Sequence, residues 1–285
     1  MTRRSFFLLF ITSFCLVPSA FASEFAFDDS AKWADFGVGS WKLVRVYKET
    51  FDEKRTIVSV SIDETKSTLV DVTEEGYTIR ADVVIEVAGK RLTAAPTYFK
   101  KYWHSNTADG SVKMQDAGER DVKITGRLYP TQVHKIWVQG KDSKTHSTVY
   151  YSDDVAPYVL RMETTGTDVK SQKTSFNSVV EVIAVEMPHK VLSEIKTASH
   201  VQTSEQHHSS GEERVTVEIQ CPSVPGWVIA HSSKRVNKKD DRVVERTTLE
   251  LLDYEALPVQ TKSDPLVTRR RGRLRRNRPD RPRRG

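Results

Sequence analysis

From Trp41 onward, apolar and polar positions alternate at a spacing of two. Ile79, Ala81, Val83, Ile85 and Val87 fall on one face of the run from Tyr77 to Ala88. Thr78, Arg80, Asp82 and Glu86 fall on the other. That period belongs to a half-buried β-strand, because successive side chains of extended backbone point to opposite faces. Polar clusters with a glycine bound the run, at Thr73-Glu74-Glu75-Gly76 and at Ala88-Gly89-Lys90, as expected where turns need positive φ. The same pattern predicts strands over Trp41 to Thr50, Thr56 to Ile62 and Ser67 to Val72, with a turn over Phe51 to Arg55. Loops this short join antiparallel strands, since parallel pairing needs a crossover of a dozen residues or more. The fold class is therefore mainly β, in antiparallel meanders that form curved sheet. Between Leu92 and Leu128 the pattern weakens, and one or two short strands are expected there within a connection.

The chain also repeats itself. Val155-Ala156-Pro157-Tyr158-Val159-Leu160 returns as Val224-Pro225-Gly226-Trp227-Val228-Ile229, and more loosely as Gly37-Val38-Gly39-Ser40-Trp41-Lys42-Leu43. Each copy looks like a tight turn that delivers an aromatic and an aliphatic into a strand. Around the second and third copies about four strands each are expected, so the chain divides into a first β unit with its connection (23–128), a second repeat (129–186) and a third (187–256). The one rival helix is Pro188 to Ala198, where Val191, Leu192 and Ile195 share a face. The repeat argues for strand there, because its counterpart near Val133 would have to carry a helix across Trp137 and Val138.

Both ends differ from this body. The N-terminus reads Arg3-Arg4, a largely apolar run from Phe6 to Val17, and Pro18-Ser19-Ala20-Phe21-Ala22. This is the pattern of an export leader cleaved near Ala22, so residues 1–22 are set apart from the fold. The run would span only about 18 Å as a helix against a hydrocarbon core of about 30 Å, so no transmembrane anchor is expected. The very short positive segment favours the general secretory route over the twin-arginine route that Arg3-Arg4 also resembles. Phe14 before Cys15 is too bulky for a lipidation signal. At the other end, residues 257–285 lose the apolar pattern and are expected to be a disordered arginine-rich arm.

Charge sharpens that division. The formal net charge is +6, but residues 269 to 285 hold ten arginines against one aspartate, and the leader holds two more arginines. The stretch from Ser23 to Thr268 is left at −5, mildly acidic. Arg269, Arg270, Arg271, Arg273, Arg275 and Arg276 are the candidate contacts for an anionic envelope polymer or lipid, through salt-sensitive attraction. After leader removal Cys221 is the only thiol, so no disulfide framework forms within the chain, and a buried structural role is expected for it.

Motifs for chemistry are missing from the sequence: no G-x-S-x-G, H-E-x-x-H, P-loop, C-x-x-C or Rossmann glycine pattern occurs. This directs the reading to a non-enzymatic protein with no catalytic residues, no cofactor and no metal site. Paired carboxylates at Asp52-Glu53, Glu74-Glu75, Asp153-Asp154 and Asp240-Asp241 sit at predicted turns, where solvated turn chemistry explains them. His200, His207 and His208, with Glu205 between, form the one histidine cluster, but two of the three lie in a polar hairpin loop and not on rigid elements. Tyr98, Phe99, Tyr102 and Trp103, beside Lys100, Lys101 and His104, are candidate ligand-stacking residues. Their competing role is to plug one end of a β core.

The segment Tyr150-Tyr151-Ser152-Asp153-Asp154-Val155-Ala156-Pro157-Tyr158-Val159-Leu160, a polar hairpin, and then Thr174-Ser175-Phe176 resembles a pattern in secreted bacterial β-repeat proteins. These are in turn similar to the periplasmic lipoprotein-carrier superfamily. The resemblance, over Trp41 to Tyr254, implies the curved antiparallel sheet with which that superfamily cradles an apolar ligand; it implies the fold and not lipid carriage. It carries over no carrier-specific residues. Two functions are expected in competition: an exported cell-envelope protein binding an apolar or amphipathic ligand, or a structural protein whose meanders present edges to partners.

Overall fold

A computed structural model describes residues 31–102 and 111–259. One short helix, α1 (Ala31–Ala34), precedes fourteen strands: β1 (Trp41–Phe51), β2 (Ile57–Val72), β3 (Gly76–Val87), β4 (Lys90–Thr93), β5 (Thr97–Tyr102), β6 (Ser111–Ile124), β7 (Arg127–Gln139), β8 (Ser143–Tyr151), β9 (Val159–Asp168), β10 (Thr174–Val191), β11 (Glu194–His207), β12 (Glu212–Gln220), β13 (Val228–Asn237) and β14 (Arg242–Glu255). All belong to one antiparallel sheet, in the order β4-β3-β2-β1-β14-β13-β12-β11-β10-β9-β8-β7-β6, with β5 also on the outer side of β3. The strands of the three repeat stretches thus make one continuous sheet. It does not close on itself: β4 and β5 form one edge and β6 the other.

The sheet must curl, for a geometric reason. Laid flat, its width from β5 to β6 would be about 58 Å at a strand spacing of about 4.8 Å. Yet Tyr102 and Ser111 are nine residues apart, a reach of at most about 32 Å. Contacts across the interior agree. Ile124 of β6 packs with Val182 and Val185 of β10, four strands away in the sheet, and Trp227 packs with Leu69, Tyr77 and Ile79 of β2 and β3.

A meander sends its connections alternately to two rims. The three repeated turns, Gly37–Ser40, Ser152–Tyr158 and Cys221–Trp227, all fall on the same rim, and they fill it. In the two close copies the backbone bonds superpose. Tyr158 N donates to Val155 O and Ser152 N to Tyr158 O, as Trp227 N donates to Val224 O and Cys221 N to Trp227 O. Both aromatics have positive φ, 71° at Tyr158 and 57° at Trp227, which throws them inward, where their ring centroids lie 5.8 Å apart. Trp33 and Phe36 complete this plug. Gly226, also at positive φ, donates to Lys32 O and so ties α1 to the third turn.

Several expectations are corrected. In the first copy the bond pattern places Ser40, not Trp41, at the position of Tyr158 and Trp227: Ser40 N donates to Gly37 O and Leu69 N donates to Ser40 O. Ser40 is fully buried, whereas Trp41 sits half-buried, bonding Glu255 through Nε1 under the Lys66 ammonium. Thr56 to Ile62 and Ser67 to Val72 are not two strands, because β2 runs unbroken through Asp63-Glu64-Thr65-Lys66, whose side chains find charged neighbours on both faces. The connection after Leu92 contains a full-length strand, β6, whose residues from Ser111 to Asp121 are all exposed and so lack the apolar alternation that marks a core strand. Two expectations hold: Pro188 lies in strand, within β10 and opposite Thr197 of β11, and Cys221 is buried among Val191, Ala198, Val224 and Ile229.

Candidate functional site

The rim opposite the plug carries the polar hairpins, and there the inner face of the sheet is neither filled nor apolar. Cross-strand register assigns its side chains to three rows. Nearest the rim, Ser178, Glu205, Arg214, Arg235 and Glu245 stand side by side on β10 to β14. One step deeper, Thr203, Thr216, Ser233 and Thr247 are followed by Lys48 and Ser61 on β1 and β2. Deeper again come Val182, Val201, Glu218, His231, Leu249, Val46, Asp63 and Ile85. The composition passes from ionic to hydroxyl to mainly apolar with depth. Most of the side chains in these rows are partly exposed, so an open trough runs along the inner face.

Glu245 organises the ionic row. Its side chain is only 12% exposed, and it meets Lys48 at 2.8 Å, Arg235 at 3.2 Å and Arg214 at 3.8 Å. Burial pushes its carboxyl up, but the Lys48 hydrogen bond and the charges of Arg235, Lys48 and Arg214 outweigh burial and hold it below the ordinary glutamate value. Arg235 also donates to Glu212 at 2.9 Å. Asp63 is the opposite case: burial raises its carboxyl, Lys48 offsets that only in part, and Oδ1 is buried without a hydrogen-bond partner among the described residues. His231 is held below the ordinary imidazole value, chiefly by burial, with Arg214 and Lys42 adding to the effect and Glu218 opposing it. Thr216 donates to Ser233 at 2.9 Å, and Ser147 and Thr164 share a buried hydroxyl contact of the same length, extending the hydroxyl lining to β8 and β9.

The residues singled out from sequence are placed elsewhere or apart. Tyr98 and Tyr102 lie on one face of β5 and Phe99 on the other, by their register with Arg80, Gly76 and Ile79. All three are exposed, at 61%, 41% and 49%, so they plug no core; Lys100 Nζ lies 4.8 Å from the Tyr102 ring. Trp103 and the tail arginines Arg269 to Arg276 lie outside the described residues, as does the export leader. His200 faces outward, His207 faces the trough 3.6 Å from Glu205, and His208 in the hairpin bonds Asn177, so the three histidines do not converge. Among the described residues no group of three or more metal-ligating side chains comes together. The carboxylate pairs do turn chemistry: Asp52 Oδ1 accepts from Lys54 N and Thr56 N, and Asp240 Oδ1 from Arg242 N.

What sequence reasoning missed is the inner row itself. Arg214, Arg235 and Glu245 come from three different strands in alternating contexts of valine and charge. Only the sheet register, which no local pattern reveals, brings them together.

Fold and site define an open, curled antiparallel β protein with a polar trough at one rim. No protein-family model matches the chain, and no curated protein matches it in sequence. Two solved structures are similar at a distance. One, from Bacteroides fragilis, is described as exported with a YmcC-like fold; it is 8% identical, with 78% of this chain and 99% of that one covered, at a TM-score of 0.30. The other, from Parabacteroides distasonis, is described as a lipoprotein and is 9% identical over the same shares, at a TM-score of 0.31. Likenesses this remote say nothing about what this chain binds. No described helix is long and apolar enough to cross a membrane.

Proposed function

We propose that this chain is an exported, non-enzymatic protein of the cell envelope that binds an amphipathic ligand in the open end of its trough. The gradient across the three inner rows carries this reading. An apolar chain would lie against Val46, Ile85 and Leu249, and a polar group would meet the hydroxyls and ions nearer the rim. A purely apolar ligand fits less well, because it would strip water from Thr203, Thr216, Ser233 and Thr247 without replacing their hydrogen bonds. Export rests on the leader sequence, and the non-enzymatic reading on the absence of catalytic motifs from the sequence.

The test is binding of a fluorescent fatty-acid analogue. Leu249→Lys on the inner face should abolish the fluorescence rise, and Thr248→Lys on the outer face should leave it unchanged. Equal binding by both variants would refute a site in the trough. The exposed aromatics of β5 favour a second reading, a protein that presents sheet edges to partners. Against it, β6 carries a bulge between Asp116 and Glu119 and charges at Lys113, Asp116 and Arg120, features that discourage edge pairing.

A further inference from the structure

The rim of the trough contains a cleft of about 210 Å³ lined by His207, Ser209, Ser210, Glu212, Arg214 and Arg235. Its hydrogen-bonding inventory is lopsided. Arg235 is clamped, with Nη1 donating to Glu212 at 2.9 Å and Nη2 to Glu245 at 3.2 Å, while its buried Nε has no partner among the described residues. Arg214 is nearly free. Its nearest carboxylate oxygen is Glu245 Oε1 at 3.8 Å, too far for a hydrogen bond, and that glutamate's other oxygen is taken by Lys48 at 2.8 Å and Arg235 at 3.2 Å. Glu205 stands opposite Arg214 in the register and lies 3.6 Å from His207.

The cleft therefore offers the Arg214 guanidinium, two serine hydroxyls and an imidazole. Its one carboxylate, Glu212, is committed to Arg235. A wall of donors with its acceptor already occupied is the complement of an oxyanion. Donors arriving both from β12 and from the hairpin that precedes it suit a tetrahedral group with several acceptor oxygens better than a planar carboxylate. The space is several times the roughly 30 Å³ share of one water, enough for such a group and its ester linkage. Lys48, Arg214 and Arg235 are balanced by Glu205, Glu212 and Glu245, so selection comes from directed hydrogen bonds and not from excess charge.

We propose that this cleft holds a phosphate-type oxyanion, with Arg214 as its principal contact. The assignment rests on the trough reading above for the ligand's apolar part and names its headgroup.

Calorimetry on the full chain tests both parts with monomeric probes: dihexanoyl phosphatidic acid below its micelle concentration, dihexanoylglycerol, which lacks the phosphate, and inorganic phosphate. Phosphatidic acid should bind about tenfold or more tighter than the diglyceride, the scale of one charge-assisted hydrogen bond. Arg214→Gln should remove that difference, and Arg246→Gln on the outer face should preserve it. Inorganic phosphate that binds as tightly as the lipid, again through Arg214, would keep the oxyanion site and assign it to the free ion, against an amphipathic ligand. Equal binding of both lipids, untouched by Arg214→Gln, would overturn the oxyanion site and leave the amphipathic trough standing. Failure of all three probes to bind would overturn both.

Discussion

Two side chains show how differently the ends of the trough are built. Trp227 is 1% exposed within the plug, and its Nε1 is buried without a hydrogen-bond partner among the described residues, so the ring contributes through packing. Trp227→Ala should therefore destabilise by about 3 to 5 kcal/mol, the range for a deleted buried aromatic, and Trp227→Phe should cost clearly less. Denaturant unfolding of the two variants checks this, and equal losses would mean the indole nitrogen matters after all. Asp63, in the trough, is strained in the opposite sense. Its raised carboxyl means that ionisation works against the folded state at neutral pH, a cost relieved as pH falls through the folded value. Asp63→Asn should stabilise the protein at pH 7, and the gain should fade as pH falls through the raised folded value and be gone below the ordinary aspartate value of about 3.9. Glu245 has the reverse linkage. Its lowered carboxyl contributes stability that is complete above the ordinary glutamate value and disappears as pH drops through the lower folded one. Glu245→Gln should thus weaken the fold at pH 7 and flatten its acid sensitivity, as read from urea midpoints across pH 2.5 to 7.

At the scale of elements, the hairpins were legible and the neighbourhoods were not. Strong alternation located β3, and the repeated turns pointed to a shared role that the structure gives them as a rim plug. The loose third copy misled by one residue, because Trp41 was the conspicuous side chain while the backbone pattern needed only the small Ser40. β6 hid because a fully exposed edge strand carries no apolar period. The ionic row hid because alternation says which face a residue takes but not which strand lies beside it. Phe176 shows the same limit. It crosses the inner face onto Gly166 of β9, where any Cβ would fall inside its ring. Gly166→Val should destabilise by about 1 to 3 kcal/mol through overpacking, and Thr165→Val on the opposite face of that strand should not. Equal unfolding midpoints for the two variants would place Phe176 elsewhere.

For the whole molecule, one curled sheet has one end filled and the other open. The plug supplies most of the packing at its end of the sheet, and the proposed ligand would take the open end. The arginine-rich segment lies outside the described residues, and its charge calls for a separate test. Deleting Arg269 to Gly285 should leave thermal unfolding unchanged and abolish retention on heparin, and retention that survived would require a basic patch on the acidic body. The central claim is that the trough carries an amphipathic ligand. Its most direct test is organic extraction of the full-length protein purified from its native envelope, with mass spectrometry of the extract, alongside Leu249→Lys expressed in the same host. The account predicts a stoichiometric amphiphile bearing an acidic head in the native protein and its loss from the variant. An extract without amphiphile, or one unchanged by Leu249→Lys, would contradict it.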